Sequence, residues 1–264
     1  MVTIEKTFRR GYRLGRVISF DEGMMPNRSK FNPMRIFMPD KPSKRHIVRG
    51  EIYCFEYVTL DSTEYQIRAY VVRNISKALI NQPAKRLVVT DSFYSCIALS
   101  LKLLQMKLYH VGTARIDRLG WCTTLQFEQK KRPKRMPRGQ GTYRTAQARD
   151  HPELIALSWM DSKPVNMVAT GCSTQLASVL RTEKDGTRST IPCPQLVVDY
   201  AIGMGDVDVH DQLRLQRYSI QKCISLRKYY KQLFLCIVDM AVVNGYIVHR
   251  ITLKKKGMTP PTHA

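Results

Sequence analysis

The segment from residue 86 to residue 114 constrains the fold more than any other part of this chain. Arg86 to Thr90 (RLVVT) is a short apolar run that reads as a buried strand, and Asp91 follows it directly. Ser92 to Lys107 then shows helical spacing through Ile97, Leu101 and Leu104, and Leu108 to Ala114 (LYHVGTA) reads as a second strand. A strand, a helix and a strand in such close succession imply parallel strands joined by a crossover helix. Arg16 to Asp21 (RVISFD) alternates in polarity and ends in the acidic pair Asp21-Glu22, so it reads as a further strand that delivers a carboxylate at its end. The fold class expected is therefore α/β.

The remaining segments are less regular. Gly23 to Lys44 holds three prolines and many basic residues and reads mainly as loop. His46 to Val58 and Glu64 to Val72 are rich in β-branched and aromatic residues, with Asp61-Ser62 between them, and together they suggest a hairpin. Asn74 to Ile80 suggests a short helix capped by Asn74. Leu154 to Trp159 and Pro164 to Ala169 read as two strands joined at Asp161-Ser162-Lys163. From Met204 the pattern is helical, and a long helix is expected from about Ser225 to Leu253, with Phe234, Ile237, Val238, Ala241, Val242 and Ile247 on its buried side. The segmentation expected is 1–118 for the first part of a core domain, 119–194 for an insertion, 195–255 for a helical return to the core, and 256–264 for a disordered tail.

Charge narrows the choice of partner. Lys and Arg total 43 against 21 Asp and Glu, a formal net charge of +22. Such an excess favours a polyanion, because each cation placed near a phosphate releases a condensed counterion. Nucleic acid is the leading candidate. A membrane is the competitor, but no uninterrupted apolar run approaches the ~20 residues needed to span a bilayer. The seven cysteines are spread singly with no CxxC pair, so neither a zinc knuckle nor a disulfide framework is indicated. No GxSxG nucleophile motif occurs, and the GMG at 203–205 is too short for a phosphate-binding fingerprint.

In so basic a chain, carboxylates at element ends stand out. Asp21 and Asp91 each close a predicted strand, while Asp208 and Asp211 lie three apart in a predicted helix. If these elements pack together, the carboxylates converge. Such a cluster cannot stay ionised without cations, and hard divalent ions with oxygen ligands are the natural answer. Two such ions about 4 Å apart can stabilise the attacking and leaving oxygens of a phosphodiester displacement. The alternative stays open: Asp at a strand end is often a turn former, and Asp91 could simply cap the helix that follows. Asp206 reads as a surface or neighbouring residue.

Five ordered blocks resemble the piggyBac transposases. Residues 204–212 (MGDVDVHDQ) resemble that family's Gly-Gly-Val-Asp-x-x-Asp-Gln signature, and residues 37–44 (FMPDKPSK) its Pro-x-Lys-Pro-x-Lys segment. Residues 90–95 (TDSFYS) resemble the block around its second catalytic Asp, 111–115 (VGTAR) the strand after it, and 240–245 (MAVVNG) its C-terminal helix. The resemblance implies an RNase H-like fold: a mixed five-stranded sheet flanked by helices, with a basic, β-rich insertion domain. It implies Asp21, Asp91, Asp208 and Asp211 as catalytic and metal-binding residues, with two Mg²⁺ or Mn²⁺ ions and no zinc in this stretch. The implied activity is cut-and-paste transposition, by DNA strand cleavage, hairpin formation and joining at TTAA sites. The runner-up is a non-catalytic DNA-binding remnant of a transposon protein. Departures include Asp206 in place of the signature's second Gly, Ser92 after the second Asp, and Tyr229 in place of Trp at the start of the last helix. The family's N-terminal DNA-binding region and C-terminal Cys/His zinc module are not matched here.

Several basic residues are candidates for DNA contact. Lys41 and Lys44 follow the first Asp closely enough to neutralise a phosphate beside it. The run Lys130, Lys131, Arg132, Lys134, Arg135 and Arg138 suits a DNA backbone, and equally a solvated loop or a nuclear-localisation signal. Tyr229 suits base stacking or core packing. The expected partner is double-stranded DNA at transposon ends, in the nucleus and without a membrane. A homodimer is left open.

Overall fold

The computed structural model describes residues 14–26, 36–37, 45–51, 56–57, 64–80, 83–129, 131–132, 142–182, 186–216, 218–224, 226 and 228–262. The chain divides into two compact units: Leu14–Asp21 with Thr63–Gly205, and Met1–Arg13 with Glu22–Ser62 and Asp206–Ala264. Its strands in chain order are β1 (Val17–Pro26), β2 (Ile36–Phe37), β3 (Arg45–Glu51), β4 (Glu56–Tyr57), β5 (Leu87–Thr90), β6 (Tyr109–Thr113), β7 (Tyr143–Gln147), β8 (Leu154–Met160), β9 (Pro164–Thr170), β10 (Leu176–Thr182) and β11 (Arg188–Pro194). The helices are α1 (Glu64–Ala78), α2 (Ile97–Gln105), α3 (Gln195–Met204), α4 (Asp206–Arg214), α5 (Ile220–Cys223) and α6 (Tyr229–Lys255).

In the first unit the strands form a mixed sheet in the order β1–β5–β6–β9–β8–β7. β1, β5 and β6 run parallel, as the crossover argument requires, with Phe20 opposite Thr90 and Thr90 opposite Gly112. β9 adds antiparallel to β6, with Val111 opposite Ala169, and β8 and β7 follow it as antiparallel neighbours. The sheet thus has six strands rather than the five expected. Residues 143–170 carry three of these strands, while β10 and β11 form a hairpin of their own.

Side chains alternate between the two faces of this sheet. On one face Val17, Val89, Val111, Met167, Ala169, Leu157 and Trp159 pack with Ile191 and Cys193 of β11 and with Leu196 and Val197 of α3. Each fully buried aliphatic here contributes about 1.5–3 kcal/mol. Gly203 lets α3 come close: a Cβ there would sit 2.5 Å from Val89 Cγ2 and 2.8 Å from Val17 Cγ1.

The opposite face is partly polar. Thr90 and His110 project to this side, and α2 covers them. The His110 ring lies between the hydroxyls of Ser100 (2.8 Å) and Thr90 (2.9 Å), and Thr90 Oγ1 meets Ser95 Oγ at 2.7 Å. The Thr170 hydroxyl accepts the His110 backbone N–H. All five residues are fully buried. Burial pushes the His110 imidazolium pKa down to about 3, so the ring is neutral. Gly112 sits against this network, and a Cβ there would lie 2.0 Å from Ser95 Oγ and 2.7 Å from the Thr90 carbonyl.

Two sequence expectations change here. Glu64–Ala78 is the helix α1, not a strand. Its buried Tyr70, Val71, Asn74, Ile75 and Ala78 recur at helical spacing, so packing overrides the strand preference of its β-branched and aromatic residues. Asn74 is therefore not a cap but a buried mid-helix residue whose amide donates to the Tyr70 carbonyl. The crossover helix α2 begins only at Ile97, where the Cys96 sulfur accepts the Leu99 N–H.

In the second unit α6 starts and ends near the expected positions, but its buried face differs. Cys236, Ile237, Asp239, Met240 and Val243 are buried, while Phe234 and Val242 are exposed. Asp239 sets the phase. Its carboxylate accepts the Ser219 hydroxyl and the backbone N–H groups of Ile220 and Gln221, which caps α5. Met25 packs with Cys236 and Met240 on the same face. By window average, residues 230–255 are long and apolar enough to cross a membrane, at a mean hydropathy of 1.5. The reading of uninterrupted apolar runs passed over this stretch because Asp239 and Asn244 break it. The Tyr246 hydroxyl donates to the Pro261 carbonyl at 3.3 Å.

Two outcomes follow from the polar network. Gly112→Ala should lower unfolding stability by about 1–3 kcal/mol in denaturant titration, because the added methyl overpacks a site whose neighbours include backbone. Folded His110 takes a proton only near pH 3, whereas the unfolded residue does so near 6.5. Protons therefore favour the unfolded chain between those values, and stability falls as pH drops through that window by up to about 1.4 kcal/mol per pH unit. A His110→Gln variant should lose this part of the slope when unfolding is compared at about pH 7 and pH 5.

Candidate metal centre

The parallel register continues one residue past the last strand pairs. It sets Asp21, Asp91 and Thr113 in a row on adjacent strands, on the sheet face that α3 covers. Both carboxylates are half-buried. Burial raises the Asp91 pKa above the usual carboxylate range, and the neighbouring Asp21 charge raises it further; the backbone N–H groups of Phe93 and Tyr94 and the Arg118 charge oppose this.

Local structure fixes both ends. Asp91 Oδ1 accepts the N–H of Phe93 at 2.9 Å and of Tyr94 at 3.3 Å. Its carbonyl accepts the Ser95 N–H and hydroxyl. The turn-forming alternative is thus realised, but as a turn ahead of α2 rather than a cap on it. Phe20, just before Asp21, packs edge-on against Tyr94 with ring centroids 4.9 Å apart and against Tyr70 at 6.1 Å. Such pairs contribute about 0.5–1.5 kcal/mol beyond area burial, and here they tie the strand end that carries Asp21 to the turn that carries Asp91.

Two further groups border the pair. The Arg118 guanidinium donates to the Phe93 carbonyl at 2.7 Å. Tyr200, on α3, is half-buried; its phenol pKa is raised by burial, is opposed by a hydrogen bond from Thr113, and is raised again by the charges of Asp91 and Asp21. Sequence reading missed both. Arg118 follows Asp91 by a stretch without regular period, and Tyr200 precedes the segment from which the helical pattern was read.

Asp208 and Asp211 lie on α4, in the second unit. They do not share an environment. Asp208 is exposed. Asp211 is buried and accepts a 2.7 Å ion pair from the fully buried Arg214, which also donates to Cys236 and Gln221. Asp206 is exposed, and burial of its carboxyl raises its pKa moderately. His210 Nε2 meets Asn244 Oδ1 at 3.2 Å, joining α4 to α6.

The basic candidates are only partly described. Lys131 is exposed, and Arg132 is half-buried with its backbone N–H on the Ser162 carbonyl. Lys41, Lys44, Lys130, Lys134, Arg135 and Arg138 lie outside the described residues, as does the side chain of Tyr229, which opens α6. Among the described residues no group of three or more His, Cys, Asp or Glu side chains is gathered to hold a metal ion. What the first unit offers a cation is the Asp21–Asp91 pair. Its chemistry fits: two hard oxygen donors whose mutual repulsion a divalent cation would relieve.

The Asp211–Arg214 pair yields a direct test. Arg214→Met should destabilise the protein by about 3–5 kcal/mol by leaving a buried carboxylate uncompensated, and adding Asp211→Leu should recover most of the loss in thermal unfolding.

Two comparisons bear on this site. The family profile described as Transposase IS4 matches residues 1–246. Among solved structures, the chain superposes on a cryo-EM structure of a piggyBac transposase synaptic complex with hairpin DNA, with a TM-score of 0.70 and 20% sequence identity. The match covers 98% of this chain and 52% of that one, so the chain spans about half the length of that protein.

Proposed function

We propose, from the premise that the chain belongs to the Transposase IS4 family and has the RNase H-like fold of the piggyBac transposase, that it is a metal-dependent core for DNA strand cleavage and transfer. The observation that carries this reading is the Asp21–Asp91 pair, held in register at the carboxyl ends of adjacent parallel strands. In such sheets ligands gather outside the carboxyl ends of the strands.

Asp21 and Asp91 would hold a divalent cation, Mg²⁺ or Mn²⁺, with Asp91 contributing the oxygen that its turn leaves unused. When bound, such a cation polarises a phosphoryl oxygen and lowers the pKa of a ligand water. The chain's own residues do the positioning. The Asp91 turn and the Phe20–Tyr94 contact hold the two carboxylates at fixed spacing, so little reorganisation is needed when a phosphate arrives. Asp208, exposed on α4, supplies a third carboxylate in this reading and completes a site for a second ion. Asp211 reaches a cation only by leaving Arg214, so its present role is to brace α4 against α6.

Double-stranded DNA is the partner that the charge of +22 favours, and the structural neighbour is bound to hairpin DNA. Transposon ends, TTAA targets, a dimeric assembly and nuclear residence belong to the same proposal, with the basic run from Lys130 to Arg138 as its DNA-tracking arm.

The test is cleavage of a hairpin-ended or nicked duplex in Mn²⁺, scored on a denaturing gel. The wild-type chain should cut, and Asp91→Ala should cut at least about 100-fold more slowly, the equivalent of losing several kcal/mol of transition-state stabilisation. Equal cutting by both proteins would dismiss the proposal, and retention of DNA with no metal-dependent cutting by either would favour a DNA-binding remnant.

A further inference from the structure

The row formed by β1, β5 and β6 has a third member that the acidic pair leaves unexplained. Thr113 occupies on β6 the level that Asp21 and Asp91 occupy on β1 and β5. Its side chain hydrogen-bonds the Tyr200 hydroxyl, which reaches it from α3 on the face where both carboxylates lie. α3 cannot drift from this position. Gly203, three residues beyond Tyr200, sits so close to Val17 and Val89 that a Cβ would collide with both, and Leu196 and Val197 are buried in the same core. Tyr200 is thus held by rigid elements beside a site built for a cation.

We infer that Tyr200, braced by Thr113, is a further substrate-contacting residue whose phenol donates a hydrogen bond to a non-bridging phosphate oxygen of the DNA strand seated on the Asp21–Asp91 cation. The inference rests on the cation reading above and deepens it. A phosphodiester held by a cation at two carboxylates keeps one non-bridging oxygen turned away from the metal. That oxygen is still charged, and the neighbouring carboxylates repel it. A neutral donor on the third strand offsets that repulsion without competing for the metal, as an amine or a third carboxylate would. The phenol suits this role because burial and the two carboxylates both favour its protonated form. Thr113 takes part by fixing the direction of the hydroxyl. Oriented donors of this kind act most strongly where water is excluded.

The test uses the full chain and a minimal probe, the dinucleotide thymidylyl-thymidine, titrated calorimetrically with and without Mn²⁺. Mn²⁺ binding alone is measured first. Wild type should bind Mn²⁺ and then the dinucleotide; Asp91→Ala should lose both. Tyr200→Phe, which keeps the ring and its packing, should retain Mn²⁺ affinity within about 2-fold and bind the dinucleotide about 10-fold more weakly, as expected when a hydrogen bond to a charged group is lost. Thr113→Val should weaken the dinucleotide by a smaller factor, about 3-fold, through loss of orientation alone. Unchanged dinucleotide affinity in Tyr200→Phe overturns this inference and leaves the cation reading standing. Loss of Mn²⁺ binding in Tyr200→Phe overturns it too, because the phenol would then be serving the metal rather than the phosphate. Absence of Mn²⁺ binding in wild type removes the cation reading and this inference together.

Discussion

The parallel pairing of β1 with β5 imposes the condition that the rest of the candidate site must satisfy. Once Phe20 lies opposite Thr90, the next residue on each strand is an aspartate, and the two carboxylates share one face of the sheet. Two like charges at that spacing oppose folding unless something offsets them, and the raised proton affinity of Asp91 records the strain. A protein selected for stability alone would place a neutral residue at one of these positions. A site that binds a divalent cation needs both.

The surroundings are built to hold this arrangement still. On one face, apolar packing with Gly203 at its closest point clamps α3 to the strands. On the other, a fully buried chain of hydroxyls around neutral His110 joins β5, β6, β9 and α2 just behind Asp91. A buried polar network with every member paired is rigid as well as stable, because each hydrogen bond restricts the orientation of the next. Gly112 belongs to this design: its missing Cβ is the space that Ser95 occupies. Precise spacing of charged ligands requires such a supporting layer.

Much of this was legible in the sequence, and the exceptions have physical causes. The strand–helix–strand segment at 86–114 and the acidic ends at Asp21 and Asp91 follow from short apolar runs closed by polar residues, and the structure places those two carboxylates side by side. The family resemblance agrees with the profile match over residues 1–246 and with the fold of the piggyBac transposase. α1 was read as a strand because Tyr70, Val71 and Val72 prefer strands locally, and only tertiary burial selects the helix. The buried face of α6 was misjudged because the residue that sets its phase is Asp239, a charged group that hydrophobic periodicity counts as outward-facing. The Asp211–Arg214 pair and the contact between Tyr200 and Thr113 depend on which side chains meet in three dimensions, and residue spacing carries no record of that.

The most direct check on the central claim is anomalous diffraction from crystals of the chain soaked in Mn²⁺. A peak within coordination distance of carboxylate oxygens from both Asp21 and Asp91 is the predicted result. Saturating Mn²⁺ that leaves this pair bare, or that binds only at other carboxylates, would contradict it.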